Sequence, residues 1–527
     1  MNTFAFALLA ASASAAVAQH QGHSMAPLPV PERTALLTGY GNGGFPIATA
    51  NPQAQAFFSN GMELAAAFQH DAAKAAFAEA VRLDPNCVMC AWGDAWANGP
   101  TINYGVEGED LAKAQKLAAR ASALAKAHGT PLERQMTDAI VARYAKGGGS
   151  GTKGDYAFLH AMERIAAGNP AHDAIQVMTA DAVLNTLRDN DDDRTVVGKA
   201  AKAMVFLTPV LARNPDFTPA IHFYIHASEI AEVPAYAEPY ADRLGRLAPS
   251  AQHLVHMPSH TYYWIGRYRD AGIVNLRAVQ IGMANATKSS DPNAFAQQYH
   301  AHNVNFGLGG SLISGDRETA LAIARPLVAA ANVVGDKIVN KSVAGTGLVA
   351  LGIFAPDELL ALPQPTSKML TDYWHYARGE ALAVRGDATG VRAEEKAMRL
   401  SPELPPKIPA RAAQTMTTTY QIAHQVLLGR AAMIERNYPA AIAAFEKGAA
   451  LEEGKDYSRM SDPPAWWYPV RRSLVEARLA AGDIAGARAD AAATLKRRPK
   501  EPGTLALLQS IGRTASAATP SLSASRR

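Results

Sequence analysis

Residues 54–85 read AQAFFSNGMELAAAFQHDAAKAAFAEAVRLDP. Counted from Ala54, the residues Phe57, Gly61, Leu64, Ala73, Phe77, Ala80 and Pro85 fall at positions 4, 8, 11, 20, 24, 27 and 32 of a 34-residue helix–turn–helix repeat. Small residues at these places let two antiparallel helices pack closely, and Pro85 ends the second. The same phase returns from Ile422, with Leu428, Gly429, Ala441 and Phe445, and in a unit that closes with Gly482-Asp483, Ala487 and Pro499. Two central units begin at Thr218 (Ala237, Pro249) and Gln252 (Tyr268, Ala271), and a weaker one begins at Thr371 with Trp374 and Pro402.

This spacing is that of the tetratricopeptide repeat (TPR) and predicts an all-α, TPR-like, right-handed superhelical α-solenoid over residues 51–513. The stretches Gly147–Gly154, Asp189–Arg194, Pro356–Lys368 and Ser401–Pro409 read as loop insertions. The acidic Asp189–Asp193 run lacks the Gly and terminal Glu of a calcium loop and reads as solvated. Residues 19–50 are expected to be extended, and the Ser/Ala-rich tail 514–527 disordered. The 527 residues, 48% hydrophobic, exclude a disordered or disulfide-stapled chain. A net charge of +4 without Lys/Arg blocks argues against nucleic acid as a partner. Residues 1–18 carry no charged side chain and end Ala16-Val17-Ala18, a secretory signal with cleavage expected after Ala18. No later segment reads as a membrane span, so the chain is expected in a periplasm or outside the cell.

Histidine placement carries the functional signal. His222 and His226 occupy positions 5 and 9 of one unit, His256 and His260 the same positions of the next, one repeat later. Each i, i+4 pair shares one helical face, and positions 2, 5, 9 and 12 of the first helix face the concave groove. Glu229 extends the first face, and His302 stands at position 2 of the following unit, with His300 near it. One buried histidine is ordinarily a hydrogen-bonded core residue; four in phase are expected to hold a metal, since clustered imidazoles suffer desolvation that an ion relieves. Imidazole ligands suit copper first and zinc second, with enough nitrogens for two ions. Pro258, inside His256-Met257-Pro258-Ser259-His260, either distorts this helix or sits harmlessly in its first turn. The terminus Gln19–Met25 offers further soft ligands but reads as a flexible tail.

Cys87 and Cys90 lack the following His of a haem site; in an exported chain they read as a local disulfide, with a metal-thiolate pair as the alternative. His375 falls at position 5 of the Thr371 unit, beside Trp374, which reads as packing. The run Trp466-Trp467-Tyr468, followed by Arg471, is a candidate substrate groove for an aromatic or acidic ligand, or else a cap on the solenoid.

As a set, Asp84–Gly93 with its CxxC, His222–Glu229 with HxxxHxxE, His253–His260 ending HMPSH, His302-Asn303 and the Pro-Pro-Ala-Trp-Trp-Tyr-Pro-Val-Arg stretch ending at Arg471 resemble a family of secreted bacterial tetratricopeptide proteins. The resemblance implies a His-lined groove and supplies no reaction. Here Asn305 stands where the family tends to carry a second His, and Asp462 where Glu is usual. The expected function is a secreted TPR-fold copper protein, an oxidase or oxygenase acting on a small organic substrate. The alternatives are a scaffold that binds a peptide or protein, a metal-delivery protein, and less so a zinc hydrolase.

Overall fold

A computed structural model describes residues 34–145, 153–188, 191–287, 293–297, 299–331, 337–404, 408–458 and 463–517. The signal at 1–18, the terminus 19–25, Asp189, Asn190, Asp462, most of the Gly147–Gly154 loop and the tail beyond 517 lie outside the described residues. The described residues are helical apart from loops and one isolated bridge, Thr101 to Tyr104. They form antiparallel helix pairs of the tetratricopeptide kind.

The chain divides into two compact units, 1–261 and 262–527. In the first, the founding repeat becomes α1 (Pro52–Ala66) and α2 (His70–Leu83). Asn51 caps α1 by accepting from the amides of Gln53 and Ala54. Phe77 of α2 lies against Gly61 of α1, where a β-carbon would stand 2.7 Å from its ring, and against Gly93 of the next helix. Only glycine leaves room for that ring, which is why the repeat needs small and large residues at these positions. The same lock recurs in the second unit, where Phe445 fills the space beside Gly429.

Further along the first unit come α3 (Val88–Ala97), α4 (Gly108–His128), α5 (Pro131–Ala145), α6 (Lys153–Gly168), α7 (Asp173–Leu184), α8 (Asp193–Arg213), α9 (Thr218–Ile230), α10 (Glu238–Leu247) and α11 (Gln252–His256). Helix α12 (Pro258–Ile265) starts in this unit. Helix α8 is long and apolar enough by composition to cross a membrane, contrary to the sequence expectation. Its apolar side (Val196, Ala200, Ala203, Leu207) is buried against neighbouring helices, while Lys199 pairs with Asp191 at 2.6 Å. Asp192 caps it through the Thr195 amide, so the acidic run serves a helix start.

The first unit closes on itself. Residues 34–50 form no helix or strand and reach back to its later helices. Asn42 Oδ1 accepts from the Thr218 amide at 2.9 Å, its Nδ2 donates to the Asp216 carbonyl at 3.0 Å, and the Ser250 amide donates to the Gly39 carbonyl at 2.9 Å. Helix α1 consequently packs on α9.

The second unit repeats the helix-pair scheme. It includes α13 (Tyr268–Ala286), α14 (His300–Ser314), α15 (Arg317–Ala329), α16 (Ile338–Phe354), α17 (Pro356–Leu360), α18 (Lys368–Val384) and α19 (Ala388–Ala397). Then follow α20 (Ala410–Ile434), α21 (Tyr438–Glu452), α22 (Lys455–Ser458), α23 (Arg471–Ala480), α24 (Ile484–Arg497) and α25 (Pro502–Ala517). Here too an early element meets a late one: Tyr268 Oη donates to the Pro499 carbonyl at 3.1 Å.

Candidate metal centre

Helices α9 and α11 and the first turn of α12 bring five histidines and one glutamate together inside the first unit. His222, His226, His253, His256 and His260 are each 2% exposed or less, and Glu229 is 8% exposed. The i, i+4 spacing stacks His222 and His226 on one face of α9 with ring centroids 5.1 Å apart. The helix carrying the second pair stops at His256 and restarts at Pro258, so proline occupies a first turn, where its missing amide costs nothing.

Two short nitrogen pairs organise the cluster. His222 Nε2 lies 3.1 Å from His253 Nε2, and His256 Nε2 lies 2.9 Å from His260 Nε2. The far side of each pair is fixed by an acceptor. His222 Nδ1 is 2.7 Å from the Ala66 carbonyl, and His260 Nδ1 is 2.9 Å from Glu229 Oε2. A carbonyl or carboxylate only accepts, so both Nδ1 atoms carry a proton, and a neutral ring then presents the lone pair of its Nε2 inward. Burial drives His222 down to about 3, keeping it neutral at physiological pH. A neutral imidazole with its outer nitrogen bonded to a carbonyl or carboxylate is the form that ligates metals.

The ligand atoms of His222, His226 and His253 lie within 4.8 Å of one another, as do those of His226, Glu229 and His260. Two ligands of one tetrahedral ion at metal–nitrogen distances of 2.0–2.1 Å stand roughly 3.3 Å apart. The two Nε2 pairs are already near that separation. The donor set therefore fits one or two borderline transition ions with small rotamer changes.

Phe68 roofs this arrangement. Its ring stacks on His253 at 4.7 Å and meets His222 edge-on at 4.5 Å. It sits at φ 55° in the α1–α2 turn, a conformation bulky residues avoid, held by burial of the ring.

The sequence pattern missed His253 and Phe68. His253 stands at position 2 of its unit, the groove-facing position from which His302 was singled out, so the same rule would have found it. Phe68 has no such signal.

The other expected histidines are carried by helices of the second unit. His302 is half-buried on α14 of the second unit, its ring 5.0 Å from Phe306. His300 on the same helix is buried against Phe295 and pushed down to about 4 by that burial. His375 is engaged by Glu394, Nδ1 to Oε2 2.7 Å, which also binds Arg378. Trp374 packs beneath the Arg378 guanidinium.

Cys87 and Cys90 are joined by the disulfide that their spacing suggests, which excludes the alternative of a metal-thiolate pair. One expectation is corrected by packing. Trp466, Trp467 and Tyr468 are buried rather than lining a groove, the two indoles stacked at 3.9 Å, because Tyr376 fills the space against them. Arg471 is neutralised by Glu453 at 2.7 Å and Asp490 at 2.5 Å, so it offers no spare charge to an acidic ligand.

No protein-family model matches the chain, and no curated protein matches it. Among solved structures it is similar to the TPR domain of P58(IPK), at 12% identity over 89% of this chain and 99% of that one, TM-score 0.22. It is also similar to the Cut9–Hcn1 hetero-tetramer of the APC/C (12%, 88% and 78%, TM-score 0.29) and to a human IFIT1 dimer with m7Gppp-AAAA (12%, 89% and 92%, TM-score 0.30). The fold assignment rests on the helix pairing of the chain itself.

Proposed function

We propose that this is an exported TPR-fold metal-binding protein whose first unit holds copper, or failing that zinc, on the cluster of His222, His226, His253, His256 and His260. The observation that carries the reading is the pair of inward-facing Nε2 atoms, of His222 and His260, each with the opposite ring nitrogen bonded to an acceptor. Unprotonated imidazoles in a buried pocket gain more from a soft or borderline cation than from each other. A shell closed to solvent favours holding or delivering the ion over turnover, since catalytic sites keep an open position.

Copper-dependent oxidation of a small organic molecule is the second reading. It is favoured by a cleft whose wall includes Phe68 and Phe223, both in contact with the His222 ring. A scaffold for a peptide or protein partner is what remains if no metal binds.

Metal analysis of tag-free protein decides. The expected result is about one equivalent or more of copper or zinc after loading, lost when His222 and His226 are both changed to Ala and reduced when His256 and His260 are. Less than about 0.1 equivalent in the wild-type protein would sink both metal readings. Full stoichiometry in the variants would move the site elsewhere. If metal is bound, O₂ consumption with phenols, amines or thiols separates oxidation from storage.

A further inference from the structure

A cleft enters the first unit between α1, α3, α7 and α9, enclosing about 710 Å³ with the space open to solvent included. Its walls are mostly apolar and strongly aromatic, with Phe68, Trp96, Phe217 and Phe223 joined by Met62 and Met178. Asp181, His70 and Thr101 interrupt this surface.

Asp181 is the unusual one. It is 8% exposed, and its Oδ1 accepts from the uncharged amide of Asn185 at 2.9 Å. The buried cation in its surroundings, Arg143, donates instead to Asp155 at 2.9 Å and to the Pro100 carbonyl. The trio of Arg143, Asp155 and Asp181 therefore carries one negative charge more than positive. Burial pushes the Asp181 carboxyl up to about 6, which leaves it mostly ionised at neutral pH yet poorly solvated.

His70 does not supply the missing charge. Burial holds it down to about 4, so it is neutral, and its Nε2 is buried with no hydrogen-bonding partner among the described residues. A ligand that enters with one positive charge and an N–H would answer the carboxylate, while aromatic faces attract cations and cover apolar carbon.

We propose that this cleft binds a small organic cation, an ammonium group on an apolar or aromatic body, with the ammonium at Asp181 and the body against Phe68, Trp96, Phe217 and Phe223. The cleft is the one that borders the histidines through Phe68 and Phe223, but the proposal does not rest on the metal reading, because it requires no ion on the histidines.

The probe is 2-phenylethylammonium, compared with the neutral 2-phenylethanol by calorimetric titration into metal-free, full-length protein. The ammonium is expected to bind at least about tenfold more tightly than the alcohol. Asp181→Asn should erase that preference. Ala97→Trp, which adds an indole at a half-buried position on the cleft wall, should weaken both ligands by at least about tenfold while leaving Asp181 in place. Equal binding of the two probes to the wild-type protein, or no binding of either up to about 10 mM, overturns the proposal. So does an ammonium preference that survives in Asp181→Asn, or affinities unchanged in Ala97→Trp. Should Asp181→Asn fail to fold, the wild-type comparison and Ala97→Trp still decide.

Discussion

Glu229 illustrates how little a residue's type says about its job. At position 12 of the α9 repeat it reads as a metal ligand, yet its Oε2 is spent on the Nδ1 proton of His260, 2.9 Å away. In that place a carboxylate orients the ring and raises the basicity of its inner nitrogen. Glu229→Gln keeps an accepting oxygen but removes the charge. Metal affinity should fall about 10- to 100-fold with stoichiometry unchanged, measured by chelator competition. Loss of an equivalent would identify Glu229 as a direct ligand instead. The histidines of α9 and of the HMPSH stretch were legible because they repeat one period apart. Phe68 was not, because its role depends on a φ of 55° in a turn, which no spacing encodes.

At the scale of the element, the second unit reuses one turn between paired helices. Gly315-Asp316, Gly386-Asp387 and Gly482-Asp483 each place a glycine at positive φ, followed by an aspartate that caps the next helix. At the fourth such junction Arg436, at φ 58°, precedes the capping Asn437. Arginine there carries a left-handed penalty that glycine lacks. Arg436→Gly is expected to stabilise the protein by about 0.5–1 kcal/mol, read from urea denaturation. Helix α21 offers a second test. Glu452 is buried, accepts from the Val470 amide at 2.8 Å, and is pushed up to about 7 chiefly by burial. Its unfolded value lies near 4.3, so between these limits the folded chain keeps a proton that the unfolded chain has released. Stability should therefore fall as pH rises from about 4.5 to 7 and level off above. Glu452→Gln should flatten that part of the profile, worth on the order of 1 to 3 kcal/mol, in denaturation curves taken across this range.

For the molecule as a whole, the helix pairs were legible and the closure of each unit was not. Gly61, Phe77, Gly93, Gly429 and Phe445 announce themselves by size and spacing, because packing between neighbouring helices repeats. The links that bend the first unit back, from Asn42 to Thr218 and from Gly39 to Ser250, are single residues in a segment without periodicity. They make the unit depart from the nearest-neighbour behaviour of a linear array, in which each repeat answers only to the one beside it. The His222 proton handed to Ala66 is one of these distant links, spanning 156 residues. Synthesis runs from the amino end, so the cluster cannot assemble before His260 has left the ribosome. Assembly of the histidine cluster is thus a late event in the life of the chain, open only to a first unit already translated through that residue.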